Sequence, residues 1–423
     1  MTELGPNPLA AGERNIAVDE ARAAIRGALA PIGGIETVAL RDAVGRVLAA
    51  DVVSPIDVPA HDNSAMDGYA FDGSALQAGT ALSLRSVATV FAGAPFAGTL
   101  HEGECVRIMT GAVMPPGLDT VVPLELCRAD GDRVQLEPGV IKPGENRRRR
   151  GEDLARGKAA LHAGRVLRPA DVGLAASLGF EQVAVRPRLR VALFSTGDEV
   201  VAPGRPLPPG GIYDSNRFAL AAAVQRLGMT VVDLGLVRDD REALQATLDR
   251  ALREADVVLT SGGVSAGDAD YTRDVLARMG EVAFWKVAMR PGRPFAFGPL
   301  NGPGGRRSWL FGLPGNPVAA LVTFYAFARE ALLQLAGATP EPVPMLQARS
   351  AAAIRKRPGR TEFQRGIVGR AADGGWEVRL TGSQGAGVLR SMSEANALVV
   401  LGHDQGSVPQ GGMVDVWLFD GLL

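Results

Sequence analysis

Short apolar runs alternate with amphipathic stretches over residues 187–337, and this pattern predicts an α/β domain. Because strands alternate with helices, the crossovers should be right-handed and build an open, doubly wound sheet. The predicted strands are 189–195, 230–237, 256–260, 282–287, 295–298 and 309–311. The predicted helices are 216–227 (capped by Ser215 or Asn216), 241–254, 271–279 and a long apolar helix from Val318.

The flanking regions follow other patterns. Residues 15–50 are predicted to be helical, whereas Gly and Pro break residues 52–140 into short β-like runs. Residues 345–423 show short strands between Gly-rich turns, which predicts a small β-barrel or sandwich. Together with the length of 423 residues, these differences predict a multi-domain chain of α/β plus β character.

The most informative segment begins with an apolar run that ends in Ser261-Gly262-Gly263. Such a run predicts a buried parallel strand, and the glycines leave its carboxyl end open to a close ligand. Asp268 and Asp270 follow before the next helix. Backbone N–H groups at a helix start favour anions, and carboxylates favour a hard cation, so phosphate chemistry with Mg²⁺ is indicated. Asp270 equally suits the N-cap of that helix.

Acidic residues follow several of the predicted strands, where open α/β sheets bind their ligands. A solvated surface acid explains any one of them. Several at one sheet edge suit a magnesium ion, which takes one or two carboxylates and completes its shell with water and phosphate. These residues are Asp198, Glu199, Asp214, Asp239, Asp240, Asp268 and Asp270.

Two further segments offer groups for an anion. Lys286, Arg290 and Arg293 place three cations within eight residues, and neighbouring prolines stiffen the loop that carries them. The turn at 312–317 runs directly into the long helix, with Pro317 at the first helical position. This turn is either a rigid connection or a second set of backbone amides that face the same ligand.

Composition excludes several classes of function. The 45 basic and 46 acidic residues nearly balance, so nucleic acid or a membrane surface is not indicated as a partner. Cys105 and Cys127 suggest neither a disulfide framework nor a metal site. The apolar stretch at 318–328 is too short to span a bilayer, and the N-terminus lacks a secretory signal pattern. We therefore expect a cytoplasmic protein.

Known catalytic motifs are mostly absent. Ser265 lies in a GxSxG pattern typical of hydrolase nucleophiles, but the only later histidine is His403, in the separate C-terminal β region. The chain contains neither GxGxxG nor GxxxxGK[ST], which argues against dinucleotide and P-loop sites. Its four histidines are scattered, so a histidine zinc site is not expected.

Two more segments combine turn formers with charge. Residues 59–70 contain Asp62 and Asp67 and need be no more than a turn. Residues 147–153 form a basic run that leads into Gly-Glu-Asp, which suits either a solvated face or a functional loop.

Ten segments, in this order, closely resemble one family across nearly the whole chain. It is the molybdopterin molybdenumtransferase family of the MoeA type, which is similar to the E domain of gephyrin. The segments are DNSAMDGYA (62–70), RIMTGA (107–112), RRRGED (148–153), FSTGDE (194–199), IYDSN (212–216), SGGVSAGDADYT (261–272), FWK (284–286), PGRPFAFG (291–298), GLPGNP (312–317) and FQRG (363–366).

The resemblance implies an architecture and an assembly. A helical and β base domain would comprise residues 15–58 and 150–186, with a β-rich domain inserted at 59–149. The molybdopterin-binding α/β domain would span 187–338, and a C-terminal β-barrel 339–423. The family forms an elongated homodimer, with the active cleft between the α/β domain of one subunit and the inserted domain of the other.

The resemblance also implies a reaction. Molybdate is joined to adenylylated molybdopterin with Mg²⁺, AMP is released, and molybdenum cofactor is formed. The implied partners are adenylyl-molybdopterin and molybdate, and beyond these the molybdopterin adenylyltransferase and molybdoenzymes.

The resemblance assigns the site residues by matching motifs. Glu199 and Asp270 would bind the metal or activate the water that cleaves the adenylate. Lys286 and Arg365 would hold oxyanions. The implied catalytic residues are Asp67, Thr110, Asp153, Glu199, Asp239 and Asp270, with Asp67 and Thr110 reaching in from the partner subunit. The implied substrate-binding residues are Ser261, Gly262, Gly263, Ser265, Lys286, Arg290, Pro314, Pro317 and Arg365, and the segments 261–265 and 312–317 would cradle the pterin phosphate.

The chain departs from the family pattern twice. Arg290 stands where relatives often have Lys, so a forked donor replaces a point charge. The C-terminal SQGS motif ends in Ala386, so this loop lacks the hydroxyl that the resemblance implies for a molybdate contact. Ser383 and Ser391 are the candidate replacements.

Two alternative functions differ in their requirements. A molybdopterin adenylyltransferase would share the α/β domain and consume ATP, but the additional domains argue against it. A gephyrin-like scaffold would bind a partner peptide without turnover, and the sequence shows no feature that marks such a groove.

Overall fold

A seven-stranded mixed sheet forms the centre of the protein in a computed structural model, which describes residues 15–263 and 270–419. Four neighbouring strands are parallel, and Pro294–Asn301 runs antiparallel to both of its neighbours. In spatial order the strands are Asn15–Ile16, Ala283–Val287, Pro294–Asn301, Arg307–Leu313, Val257–Ser261, Arg190–Thr196 and Thr230–Val237.

Helices cover both faces of this sheet, which confirms the predicted doubly wound arrangement. On one face, Leu220 and Val224 pack with the long apolar helix. On the other, Leu248 packs with Val275 and Leu276. The helices are Val18–Ala28, Asn216–Arg226, Arg241–Glu254, Asp270–Met279, Pro317–Thr323 and Arg329–Leu335, with a π-helical turn at Phe324–Ala328.

The sheet differs from the prediction in its last two strands. The sequence suggested two short strands, whereas Pro294–Asn301 and Arg307–Leu313 are longer and form an antiparallel hairpin. The connection between them is too short for the crossover that a parallel pair requires.

The long helix Pro317–Leu335 has 19 residues and is apolar enough to span a membrane by length and composition. However, 72% of its most apolar window is buried inside the protein. Its apolar composition is therefore accounted for by packing between the sheet and Val18–Ala28.

The helical prediction for residues 15–50 holds only for Val18–Ala28. Gly33 and Gly34 follow this helix, and the chain then forms the strand Glu36–Ala39 and a 3₁₀ turn at Leu40–Asp42. The strand pairs with Gln182–Val185, which lies far away in sequence. A long-range partner of this kind leaves no local pattern.

Two further sheets flank the central one. A six-stranded sheet contains, in spatial order, Thr120–Pro123, Gly68–Phe71, Glu104–Ile108, Leu82–Val90, Arg133–Leu136 and Arg128–Asp130. Near the C-terminus, five strands close into a barrel, which decides between the predicted barrel and sandwich. They are Thr361–Arg370, Trp376–Leu380, Leu346–Ser350, Met413–Leu418 and Ala397–Leu401, the last pairing with the first. Met289–Arg290 also pairs with this barrel.

The remaining elements are short. Four two-stranded sheets pair Val52–Val53 with Ala159–Leu161, Asn63–Ser64 with Arg147–Arg148, Glu36–Ala39 with Gln182–Val185, and Val200–Val201 with Ile212–Tyr213. The other helices are Pro169–Ser177 and Leu389–Glu394. The bounds given above for the four domains stay predictions.

A buried ion pair holds the start of the helix Asn216–Arg226. Asp214 is 3% exposed and accepts hydrogen bonds from Ser195 Oγ (3.0 Å), Arg217 N (3.2 Å) and Arg217 Nε (2.8 Å). Arg217 also pairs with Asp233. Neither Ser215 nor Asn216 caps the helix with its side chain, because the carboxylate of Asp214 occupies the backbone donor instead.

We predict that Arg217→Met destabilises the protein by about 3 kcal/mol, because it leaves the buried carboxylate of Asp214 without its cation. Arg241→Met is the matched control: Arg241 and Asp274 form an exposed pair, whose loss should cost less than about 1 kcal/mol. Denaturant unfolding followed by circular dichroism measures both. Equal destabilisation by the two changes would refute the structural role of the buried pair.

Candidate active site

The central strand Val257–Ser261 ends in a turn that only glycine can form. Gly262 and Gly263 have φ angles of 94° and 67°, in the left-handed region. A Cβ atom on Gly262 would lie 2.7 Å from the carbonyl oxygen of Thr196, and one on Gly263 would lie 3.1 Å from Thr196 Oγ1. The turn therefore leaves bare backbone at the carboxyl end of the sheet, where ligands of this fold class bind.

A side-chain amide ties this turn to the second predicted loop. Asn216 Nδ2 donates to Ser261 Oγ (2.7 Å) and to the carbonyl of Gly315 (2.6 Å). Ser261 Oγ in turn donates to Pro314 O (3.3 Å), and Gly262 N donates to Leu313 O (3.1 Å). The structure thus brings the segments 261–263 and 312–317 together at the carboxyl edge of the sheet.

Asn216 is the residue at this edge that sequence reasoning missed. Its position before a helix suggested a cap, but its side chain instead joins two loops. The IYDSN segment at 212–216 contained the signal, because it was one of the family motifs.

The C-terminal barrel covers the start of the long helix. Pro317 occupies the first helical position, and Val318 N donates to Ala386 O (3.0 Å). One backbone donor of the helix N-terminus is therefore taken by the protein itself. Since Ala386 acts here through its carbonyl group, the missing hydroxyl does not affect this contact.

Arg365 is fully buried and holds the loop that contains Ala386. Its Nε donates to Ser391 Oγ (3.0 Å), and its terminal nitrogens donate to the carbonyls of Gln384 (3.2 Å), Ser383 (3.1 Å) and Gly385 (3.0 Å). Burial, and secondarily the charge of Arg290, lowers the pKa of Arg365 to about 10.

These contacts define what Arg365 and Ser391 can do. A guanidinium has five N–H groups, and the protein uses four of those of Arg365, so its visible role is to position the loop. Ser391 is 4% exposed, accepts from Arg365 and donates to Val388 O (2.7 Å). Ser391 is therefore not available as a replacement for the missing hydroxyl at 386.

The acids of the sheet edge separate into two groups. Asp214 is consumed by its buried ion pair, and Asp240 caps the helix Arg241–Glu254 through Ala243 N (2.8 Å). Asp198 Oδ1 accepts from Asp239 N (3.3 Å), so the loops after two neighbouring strands meet. Glu199 is exposed beside them.

The described residues contain no group of three histidines, cysteines or carboxylates that could hold a metal. Asp198 and Glu199 nevertheless offer hard oxygen donors at the strand end, which suit the one or two protein ligands that Mg²⁺ takes. Asp270 begins the helix Asp270–Met279. Ser265 and Asp268 lie outside the described residues.

The predicted cations lie where the sheet meets the barrel. Lys286 is half-buried on the strand Ala283–Val287, next to the strand that contains Pro294. Arg290 is exposed and pairs through its backbone with Glu362 of the barrel.

The inserted sheet carries a second cluster of predicted residues. Asp67 Oδ1 accepts from Thr110 N (2.7 Å) and from Thr110 Oγ1 (2.7 Å), and these bonds lower the pKa of Asp67 below its ordinary value. Asp153 is an exposed loop residue, and its backbone N donates to Val58 O (3.0 Å). Asp67 therefore stays ionised at neutral pH while it is hydrogen-bonded to Thr110.

We predict that Gly262→Ala destabilises the protein by about 1–3 kcal/mol through backbone strain alone, with a further cost from the overlap with Thr196 O. Gly315→Ala is the control in the facing turn, because its Cβ would meet nothing closer than Gly262 Cα at 3.8 Å. Thermal unfolding measures both variants. Unchanged stability in Gly262→Ala would show that the turn is not closed as described.

Three family models together cover most of the chain. The MoeA N-terminal region (domain I and II) matches residues 16–179. A probable molybdopterin binding domain matches residues 192–334, and the MoeA C-terminal region (domain IV) matches residues 347–419.

Individual relatives agree with these models. A molybdopterin molybdenumtransferase of Haemophilus influenzae is 41% identical over 91% of this chain and 94% of its own length. Molybdopterin molybdenumtransferase 2 of Mycobacterium tuberculosis is 39% identical over 90% of this chain and 94% of its own. The crystal structure of the molybdopterin biosynthesis moeA protein of Pyrococcus horikoshii OT3 superposes with a TM-score of 0.81, at 27% identity, over 96% of this chain and all of that one. The chain therefore belongs to the MoeA family of molybdopterin molybdenumtransferases.

Proposed function

We propose that the chain joins molybdate to adenylylated molybdopterin, releases AMP and so forms molybdenum cofactor. The observation that carries this proposal is the paired turn at 261–263 and 312–317, tied together by Asn216. It presents backbone at the carboxyl edge of the sheet, in a chain of the family whose members are named for this transfer.

The residues of the sheet edge suit the charge of such a substrate. We assign Ser261, Gly262, Gly263 and the facing turn to the pterin phosphate, because backbone N–H groups at strand and helix ends favour anions. Since Gly262 N already donates to Leu313 O, the backbone donor of the first turn would be Gly263 N. Lys286 and Arg290 add positive charge next to this edge. Arg365 acts through the loop at 383–385 that it holds.

We propose Glu199 and Asp270 as the magnesium ligands. Asp239 lies near Glu199, because its backbone N donates to the neighbouring Asp198. When bound, Mg²⁺ would neutralise part of the charge of the phosphates. A carboxylate at this edge would accept the proton of the water that cleaves the bond between the pterin phosphate and AMP. One phosphorus–oxygen bond forms and one breaks, and the released proton goes to the carboxylate.

We further propose that the protein acts as a homodimer and that Asp67 and Thr110 complete the cleft of the partner subunit. Both residues are accessible, and the low pKa of Asp67 keeps its charge available at neutral pH. Asp153 extends this wall at the edge of the base region.

The location and further partners are also proposals. We infer a cytoplasmic protein, supported by the burial of its one long apolar helix within the described fold. The adenylylated substrate has to come from an adenylyltransferase and the product has to reach molybdoenzymes, so both are candidate partners.

The direct test is AMP release from adenylyl-molybdopterin on addition of molybdate and Mg²⁺. We predict that Asp270→Asn and Glu199→Gln each lower the turnover rate by about 100-fold or more. Asp249 is an acid on the helix Arg241–Glu254, away from this edge, and Asp249→Asn should leave the rate unchanged. Turnover like wild type by Asp270→Asn would refute the assignment of that residue. ATP consumption with free molybdopterin would instead identify an adenylyltransferase.

Mixing two inactive variants tests the shared cleft. Asp67→Asn and Glu199→Gln damage opposite walls, so a mixed dimer has one intact cleft and one that carries both changes. After subunit exchange of equal amounts, we predict recovery of about a quarter of the wild-type activity. If both residues serve the same subunit's cleft, the mixture stays inactive and the proposal is wrong.

A further inference from the structure

A basic cavity of about 810 Å³ lies where the α/β sheet meets the barrel, outside the paired turns. Five cations and one carboxylate contribute to its wall: Arg290, Arg355, Lys356, Arg357, Arg360 and Glu362. Its lining includes no aromatic side chain. The excess of four positive charges is concentrated here although the whole chain carries a net charge of −1.

A clamped loop fixes the arginines of this wall. The buried Lys356 donates from Nζ to the carbonyls of Gln405 (2.6 Å), Arg357 (3.3 Å) and His403 (3.3 Å). Gly359 N also donates to His403 O (2.9 Å). Lys356 is therefore structural, while its neighbours Arg355 and Arg357 are exposed.

Only part of the positive charge is neutralised within the protein. Glu362 is 3% exposed, and its carboxylate accepts hydrogen bonds from Arg360 Nε (2.9 Å) and Gln364 Nε2 (2.9 Å). Arg290, Arg355 and Arg357 form no ion pair with any described residue. A concave wall of one charge sign focuses the electrostatic potential and raises the local concentration of oppositely charged ligands.

A second, smaller cavity lies directly beside this one. It has a volume of about 220 Å³, shares Arg290, Arg355 and Glu362 with the first and extends to Arg365 and Gln384. Arg365 and Gln384 belong to the structure that covers the start of the helix at Pro317. The two cavities thus share part of one wall, and the second reaches the residues that hold the loop in contact with this helix start. We call the basic cavity the outer chamber.

We propose that this outer chamber binds a free tetrahedral oxyanion dianion and collects it for the active site. Arginine forks match such oxyanions, and the wall offers no aromatic surface on which a nucleotide base could stack. That the anion is molybdate rests on the function proposed above. That the ligand is a small oxyanion follows from the basic, non-aromatic wall of the chamber.

The test uses the double variant Arg355→Gln/Arg357→Gln, whose altered side chains are exposed and unpaired. Isothermal titration calorimetry of the full chain with molybdate, and separately with sulfate, measures binding at low ionic strength. We expect about tenfold weaker oxyanion binding in the double variant. In turnover, the KM for molybdate should rise while kcat at saturation stays the same.

A matched control removes the same charge elsewhere. Arg133→Gln/Arg379→Gln changes two exposed cations outside the chamber and should leave oxyanion binding within about twofold of wild type. Equal affinity in the two double variants would overturn the inference, as would arginine-dependent binding of AMP that is tighter than that of molybdate. Arginine-dependent molybdate binding by a protein that never releases AMP would support the chamber and refute the proposed function.

Discussion

The close approach of Gly262 to the carbonyl group of Thr196 is the constraint on which the site depends. No side chain fits between the ends of these two neighbouring strands, so the chain turns with its backbone exposed. The hydrogen bonds of Asn216 then bring the turn at 312–317 against this backbone. The consequence is main chain at the carboxyl edge of the sheet, to which we assign the pterin phosphate in the proposed function.

The barrel contacts this region from outside the α/β domain. Arg365 has no carboxylate partner among the described residues. Its terminal nitrogens donate hydrogen bonds to carbonyl groups of the loop at 383–385. That loop carries the carbonyl of Ala386 to the first turn of the long helix. The buried guanidinium therefore connects the barrel to the start of the helix. Its positive charge also lies next to the outer chamber.

Local patterns predicted the elements that local interactions form. The strand Thr230–Val237 and the helix Arg241–Glu254 have the predicted bounds, because alternation and helical periodicity are properties of neighbouring residues. The motif resemblance extended this to the order of the domains. The strand Glu36–Ala39 escaped prediction because its partner, Gln182–Val185, is remote in sequence.

The site shows the same limit. The sequence located the glycine turn and its facing loop, since both lie at strand ends. It could not distinguish the buried Asp214 from the exposed Glu199, because burial and pairing with Arg217 are tertiary properties. For the same reason, the sequence could not show that Arg365 uses four of its N–H groups within the fold, and its contact with an oxyanion stays a prediction.

A crystal structure of the protein with bound adenylyl-molybdopterin tests the central claim most directly. The account predicts that the terminal phosphate of the pterin lies against the backbone of Ser261, Gly262 and Gly263, within hydrogen-bond distance of the turn at 312–317. A pterin phosphate bound in the outer chamber, or anywhere away from the carboxyl edge of the sheet, would contradict it.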